Sequence, residues 1–288
     1  KIVEVNLKDR YVIAEAGVRV GELNTYLEKY GYMYQLMDYN KRLGEMLKSM
    51  GELYRFLTPI LSSMGNPGFI FSKFYDKKIK ERSEAQLRNI YSLLKRAGVK
   101  FSYLGEEEPY PGTLMIDMGY VEEFRKYAQS VVDLFHKKGV KNIITVDPHS
   151  YDVLLNKYTK YTSNFDFNVT FYLDHLGSLN ISKLGKRVTY HEPCHLVRHT
   201  DHNVPKDFLE KMSELVLPIH NGRNTYCCGG PIEAFYPGAS EKISERRFNE
   251  LKQTKADIIV TSCPICFVNL YKDETVMDIS ELLISSLK

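Results

Sequence analysis

Five cysteines, with the histidines beside them, are the residues of this chain whose types and spacing point to chemistry. They are Cys194, the pair Cys227-Cys228 before Gly229, and Cys263-Pro264-Ile265-Cys266. Gaps of 32 and 34 residues separate the three groups, and the first 193 residues contain no cysteine. Thiolates are soft ligands suited to zinc or iron–sulfur centres. Four readings stay open on the residues alone. A disulfide network is poorly served by an odd count and an adjacent pair. Cys263-x-x-Cys266 alone suits a redox dithiol. Zinc would take four of the five thiolates, or a mixture with His191, His195 or His199. An iron–sulfur cluster tolerates long gaps between ligand loops and has use for a fifth sulfur, so it fits the pattern best.

Each group is placed where a backbone turn would present it. Cys194 follows the strand-like Arg187–Tyr190 within His191-Glu192-Pro193-Cys194-His195. Gly229 lets the chain turn sharply after Cys228, so two consecutive sulfurs can face one site. Cys263 follows the apolar run Ile258-Ile259-Val260 and opens a helix, with Pro264 in the first turn, where its missing N–H costs nothing. At a helix start the free N–H groups are expected to lower a cysteine pKa from about 8.5.

The elements carrying these loops read as half of an internal repeat. Residues 99–158 read as strand (Val99–Leu104), loop (Pro109-Tyr110-Pro111-Gly112), helix (about 121–138), strand (Asn142–Val146), then Asp147-Pro148-His149-Ser150 opening a helix. Residues 214–271 read as strand (Glu214–Pro218), the Cys227-Cys228-Gly229 loop, helix (about 240–254), strand (Asp257–Thr261), then Cys263–Cys266 opening a helix. In this alignment Gly112 faces Gly229, Pro148 faces Pro264, Asp147 faces Cys263 and Ser150 faces Cys266. The expected fold is α/β: two pseudo-symmetric halves with parallel strands and flanking helices, the thiols confined to the second. Four segments follow: a small α/β piece at 1–36, a helical linker at 37–69, a cysteine-free repeat at 70–176 and a cysteine-bearing repeat at 177–288.

The 288 residues suffice for one large or two moderate domains. With 39 basic and 36 acidic residues interleaved, net charge +3, the balance argues against nucleic acid. The 21 tyrosines form no stacking stripe. Gly229-Gly230 is no phosphate loop, because no Lys-Ser/Thr follows. No run approaches the roughly 18 apolar residues of a membrane helix. Reduced cysteines point to the cytoplasm, with partners able to hold the chain at the inner face of a membrane. The chain begins at Lys1 rather than Met, which reads as a processed or partial product.

The segments Tyr190–Leu196, Cys227-Cys228-Gly229-Gly230 and Thr261–Cys266 together resemble the cysteine-rich CCG-domain proteins. These include the B and D components of heterodisulfide reductase, the iron–sulfur subunit of glycolate oxidase and lactate-utilisation iron–sulfur proteins. The resemblance covers about residues 70–288. It implies one [4Fe–4S]-type cluster, of non-cubane form, held by Cys194, Cys227, Cys228, Cys263 and Cys266. It also implies an oxidoreductase subunit, acting on a disulfide or a small hydroxy acid with a flavoprotein or ferredoxin-like partner. The first repeat departs from the family pattern in lacking every cysteine, so no second cluster is expected there. Upstream ferredoxin-type cysteine pairs are absent as well, so electrons would enter or leave through a partner. Tyr11–Val18 with Gly21-Glu22-Leu23 resembles a short stretch of FAD-linked oxidases, which places FAD on a partner or a missing domain. A structural zinc subunit is the alternative.

Among other residues, His191 and His195 are expected to hydrogen-bond cluster sulfur. His149 and His175 read as structural loop histidines. Arg198 reads as a surface ion pair or a charge near the metal, and Glu106-Glu107-Glu108 as a solvated loop.

Overall fold

The computed structural model describes residues 77–287, apart from 103, 105–106, 118 and 234–235. The expected segments 1–36 and 37–69 lie outside the described residues.

Helix α1 (Lys77–Arg96) buries Leu87, Ile90, Leu93 and Leu94 and stops before Gly98, whose φ is +77°. Short α2 (Thr113–Asp117) leads into α3 (Val121–Lys137), whose buried face is Phe124, Ala128, Val131, Val132 and Phe135 at helical spacing. Strand β1 (Asn142–Thr145) then runs into α4 (Pro148–Asp152), which continues as a π-helical turn over Val153–Tyr158. Strand β2 (Asn168–Phe171) lies parallel to β1, with Asn142 opposite Asn168 and Thr145 opposite Phe171.

The second sheet contains β3 (Arg187–His191), β4 (Glu214–Leu215), β5 (Ile258–Thr261) and β6 (Val276–Asp278). Its order is β4-β3-β5-β6 and every pairing is parallel. Helices α5 (Val204–Met212), α6 (Pro237–Gln253) and α7 (Pro264–Leu270) make the connections, and α8 (Ile279–Ser286) follows β6. The fold is therefore α/β with parallel strands and flanking helices. Parallel strands need such crossovers, and they put the functional loops at the strands' carboxyl ends.

Two expected strands differ. The described residues of 99–104 form no ladder, because the Leu104 N–H donates to the Glu108 carboxylate (3.1 Å) and the Leu104 carbonyl accepts from Glu107 N (3.3 Å). A local turn thus takes the groups a strand would share. The strand from Glu214 ends early. Val216 N still reaches Val188 O at 2.8 Å, and Pro218, lacking an N–H, cannot extend the ladder.

One core of buried side chains joins α1, Val146 and Phe171 to β3, β5, β6, α6, α7 and α8. A smaller one lies beneath α3 and the π-helical turn. At the seam, Arg82 of α1 donates to Glu281 (2.8 Å) and to Val276 O (2.9 Å), with its guanidinium 5.0 Å from the Phe267 ring. Among the described residues no helix is long and apolar enough to cross a membrane.

Candidate metal centre

The three cysteine groups converge beyond the carboxyl ends of β3 and β5. Cys194 precedes the π-helical turn His195–Thr200. Cys227-Cys228 sits in the loop before α6. Cys263, in extended conformation, caps α7, and its sulfur accepts from Cys266 N at 3.5 Å. Cys194 acts electrostatically on Cys227, Cys227 on Cys228, Cys228 on Cys266 and Cys266 on Cys263, so the five thiols are neighbours in one set. None of the five is in a disulfide. Cys228, Cys263 and Cys266 are buried, while Cys194 and Cys227 are half-buried, so the set has an inner wall and an open side.

The double-cysteine loop depends on two glycines. Gly229 has φ +91°, and a Cβ there would lie 2.5 Å from the Ser240 carbonyl oxygen. A Cβ on Gly230 would lie 2.3 Å from Ile265. The first constraint is both conformational and steric; the second is purely steric. Ser240 Oγ donates to Gly229 O (2.8 Å), tying the loop to α6.

Electrostatics within the set are uneven. Hydrogen bonds from Cys194 and Cys228, joined by Gly229 N at 3.3 Å, hold the Cys227 thiol far below its ordinary value. Its neighbours move the other way: Cys194 and Cys228 are pushed up first by their bonds to Cys227. The lowering expected at the helix start does not reach Cys266, whose thiol is raised well above normal, first by burial.

His191 supplies the inner wall. One ring nitrogen lies within 4.8 Å of the sulfurs of Cys228 and Cys266. Its Nδ1 accepts from Arg247 Nε at 2.9 Å, and a guanidinium can only donate. The ring proton must therefore reside on Nε2, which is buried without a partner. Burial, then the Arg247 charge, holds the His191 pKa well below its usual value, so the ring is neutral. A protonated Nε2 is a donor toward sulfur, not a metal ligand, which removes His191 from any mixed zinc site. This orphaned donor, on a ring beside the Cys228 and Cys266 sulfurs, fits a group carrying acceptor sulfur.

Arg247 itself is fully buried. It bonds Glu250 (2.7 Å), His220 O (2.8 Å) and Thr225 Oγ1 (3.2 Å). Arg198 also serves the loop, donating to Arg223 O (3.0 Å) and to Thr225 O, and so braces the backbone before Cys227 rather than an ion pair. Sequence reading missed Arg247. Its signal was the stripe Ser240, Ser244, Arg247 and Leu251, buried on one face of α6.

His195 bonds a carboxylate. Its Nδ1 donates to Asp152 Oδ2 (2.6 Å) and its ring lies 4.0 Å from that of His149. His199 Nδ1 reaches the same oxygen at 2.5 Å. Burial raises the Asp152 carboxyl, and bonds from His195, Asn156 and His199 outweigh it, leaving the group below the usual carboxylate range. His149, read as structural from sequence, is buried beside the site. His175 bonds Thr170 Oγ1 at 2.8 Å, away from it. Glu107 pairs with Lys138 on the surface.

The α/β fold thus assembles five free thiols in one cysteine-rich site at its strand ends. Residues 188–271 match the family model of the CCG cysteine-rich domain. The chain is 31% identical over 201 residues to a probable membrane-anchored ferredoxin of Chromohalobacter salexigens, covering 64% of this chain and 30% of that protein. It is 32% identical to an EtfAB:quinone oxidoreductase of Syntrophomonas wolfei, covering 67% of this chain and 29% of the other. A third relative is the D component of the dihydromethanophenazine:CoB–CoM heterodisulfide reductase of Methanosarcina barkeri. There identity is 29%, over 68% of this chain and 53% of that one. The chain spans under a third of the first two relatives and about half of the third.

Proposed function

We propose that this chain is an iron–sulfur redox subunit whose cluster is held by Cys194, Cys227, Cys228, Cys263 and Cys266. The observation that carries this reading is the unbroken set of five sulfurs with a buried N–H donor, His191 Nε2, left free beside it. When bound, such a cluster supplies one-electron redox chemistry at a potential set by charge, solvent exposure and hydrogen bonds to its sulfurs. His191 provides that bond, and Arg247 holds its tautomer. Gly229 and Gly230 allow two consecutive sulfurs to face one way. Cys194 and Cys227 mark the side from which a substrate or partner approaches.

The relatives' names include an oxidoreductase and a component of a heterodisulfide reductase. In keeping with them, we assign the chain to a larger complex, with a flavoprotein or ferredoxin-like partner and a disulfide as the favoured substrate. The two halves read as a duplication in which only the second kept its thiols. Asp147 supports this: it caps α4 by accepting from His149 N and Ser150 N, as Cys263 caps α7.

Anaerobically purified protein is expected to be brown, with about four irons and four sulfides per chain and an EPR signal. Cys228→Ser should lose colour and iron. A colourless protein carrying one zinc, with no iron taken up on reconstitution, would establish the structural zinc subunit instead.

A further inference from the structure

A second group of donor side chains lies beside the thiols, and it is built from both halves. Asp117 and His149 come from the first half, His195 from the π-helical turn after Cys194. One ligand atom from each lies within 4.8 Å of the others. Three features distinguish this group from an ordinary hydrogen-bonded cluster. His149 is only 5% exposed, yet neither of its ring nitrogens has a hydrogen-bond partner among the described residues. His195 gives its Nδ1 proton to Asp152, so Nε2 keeps its lone pair. Asp152 has no spare role: Oδ1 accepts from Asn156 (2.7 Å), and Oδ2 from both His195 and His199.

A histidine held by a carboxylate through one nitrogen, with the other nitrogen free, is the arrangement found behind metal ligands. The Asp117 carboxylate, on the exposed side, has no hydrogen bond among the described residues. We infer that His149, His195 and Asp117 form a site for one first-row divalent metal ion across the two halves, with Asp152 as the positioning residue. Two imidazoles and one carboxylate suit iron(II), zinc or manganese(II) and leave coordination positions open for a small ligand. The site uses none of the cysteines and does not depend on the cluster reading. It adjoins them, since the Cys227 charge acts on His149.

The experiment titrates manganese(II) into the purified full chain and follows loss of the free-ion EPR signal. Manganese(II) is the probe because thiolates select softer ions. One equivalent per chain is expected to bind. His149→Gln and Asp117→Asn should each weaken binding tenfold or more. Asp152→Asn, which leaves all three ligands in place but loosens the hold on His195, should weaken it by about 10- to 100-fold. His175→Gln, in a histidine far from the group, should bind as the parent does. Asp117 is exposed, so its variant keeps the test open if the buried variants fold poorly. No binding up to millimolar manganese(II), or binding unchanged in Asp117→Asn and His149→Gln alike, overturns the site. Iron and sulfide counts on the same samples report on the cysteines separately, so failure of one reading is distinguishable from failure of the other.

Discussion

At the residue scale, two positions separate backbone strain from close approach. Gly98 and Gly229 both have positive φ, but a Cβ at Gly98 meets nothing within 4 Å, whereas at Gly229 it meets the Ser240 carbonyl oxygen at 2.5 Å. Gly98→Ala is therefore expected to cost about 1 kcal/mol, the strain alone. Gly229→Ala should cost at least about 2 kcal/mol more, because overpacking shifts the backbone of the cysteine loop. Thermal denaturation of the two variants measures the difference, and equal losses would refute the steric account. His191 offers a test of the assigned proton. In the proposed cluster its Nε2–H, worth about 1 kcal/mol as a hydrogen bond to sulfur, would stabilise the reduced form more than the oxidised one. His191→Leu should lower a one-electron potential by roughly 40 mV, and a redox titration giving an unchanged potential would remove the bond. The cysteines were legible at this scale because ligand type and spacing are written in the chain. The tautomer of His191 was not, because it follows from Arg247, 56 residues away.

At the scale of elements, helix starts decide much of the site. Asp147, Cys263 and Asp278 each occupy an N-cap with a side chain that accepts from the following backbone. Asp278 is buried, and burial raises its carboxyl to about 7. A carboxyl raised in the folded state holds more protons there than in the unfolded chain. Its contribution to stability is therefore greatest below about pH 4 and declines as pH rises toward 7. Asn keeps the capping oxygen without the charge. Asp278→Asn should then gain on the parent by roughly 1.4 kcal/mol per pH unit at most across that window, read as the difference between their urea midpoints from pH 4 to 8. A constant difference would count against the raised carboxyl.

The element pattern itself was largely readable. Helices α3 and α6, strands β1, β3 and β5 and the α7 start all fall where apolar periodicity and the Gly and Pro positions put them. Helix α1 escaped notice because its inward stripe is interrupted by polar Ser83 and Gln86. These are buried through bonds to Ile79 O (2.7 Å) and Glu281 (3.3 Å), which a hydropathy pattern cannot register. The strand expected at 99–104 failed for the converse reason. Its apolar character was sound, but Glu108 captures the Leu104 N–H.

At the scale of the molecule, α1 lies against β6 and α8, so the first of the described helices shares the core of the cysteine-bearing sheet. The Arg82–Glu281 pair closes that seam, each side chain 15% exposed. Arg82→Met should cost about 2–3 kcal/mol, less than a fully buried pair because water still reaches both partners. The double variant with Glu281→Gln should recover part of the loss. Chemical denaturation of the three proteins checks this, and strict additivity would show that the pair is uncoupled. The sequence by itself determined the grouping of the five cysteines, the glycines and prolines that turn their loops, and the parallel α/β order, because these depend on residue type and short-range spacing. Only the tertiary structure decided which way each histidine faces. It turned His191 to the thiols and His195 to Asp152, 43 residues away. The reason is that a buried ring is oriented by whichever polar partner packing brings within reach, and no local pattern encodes that partner.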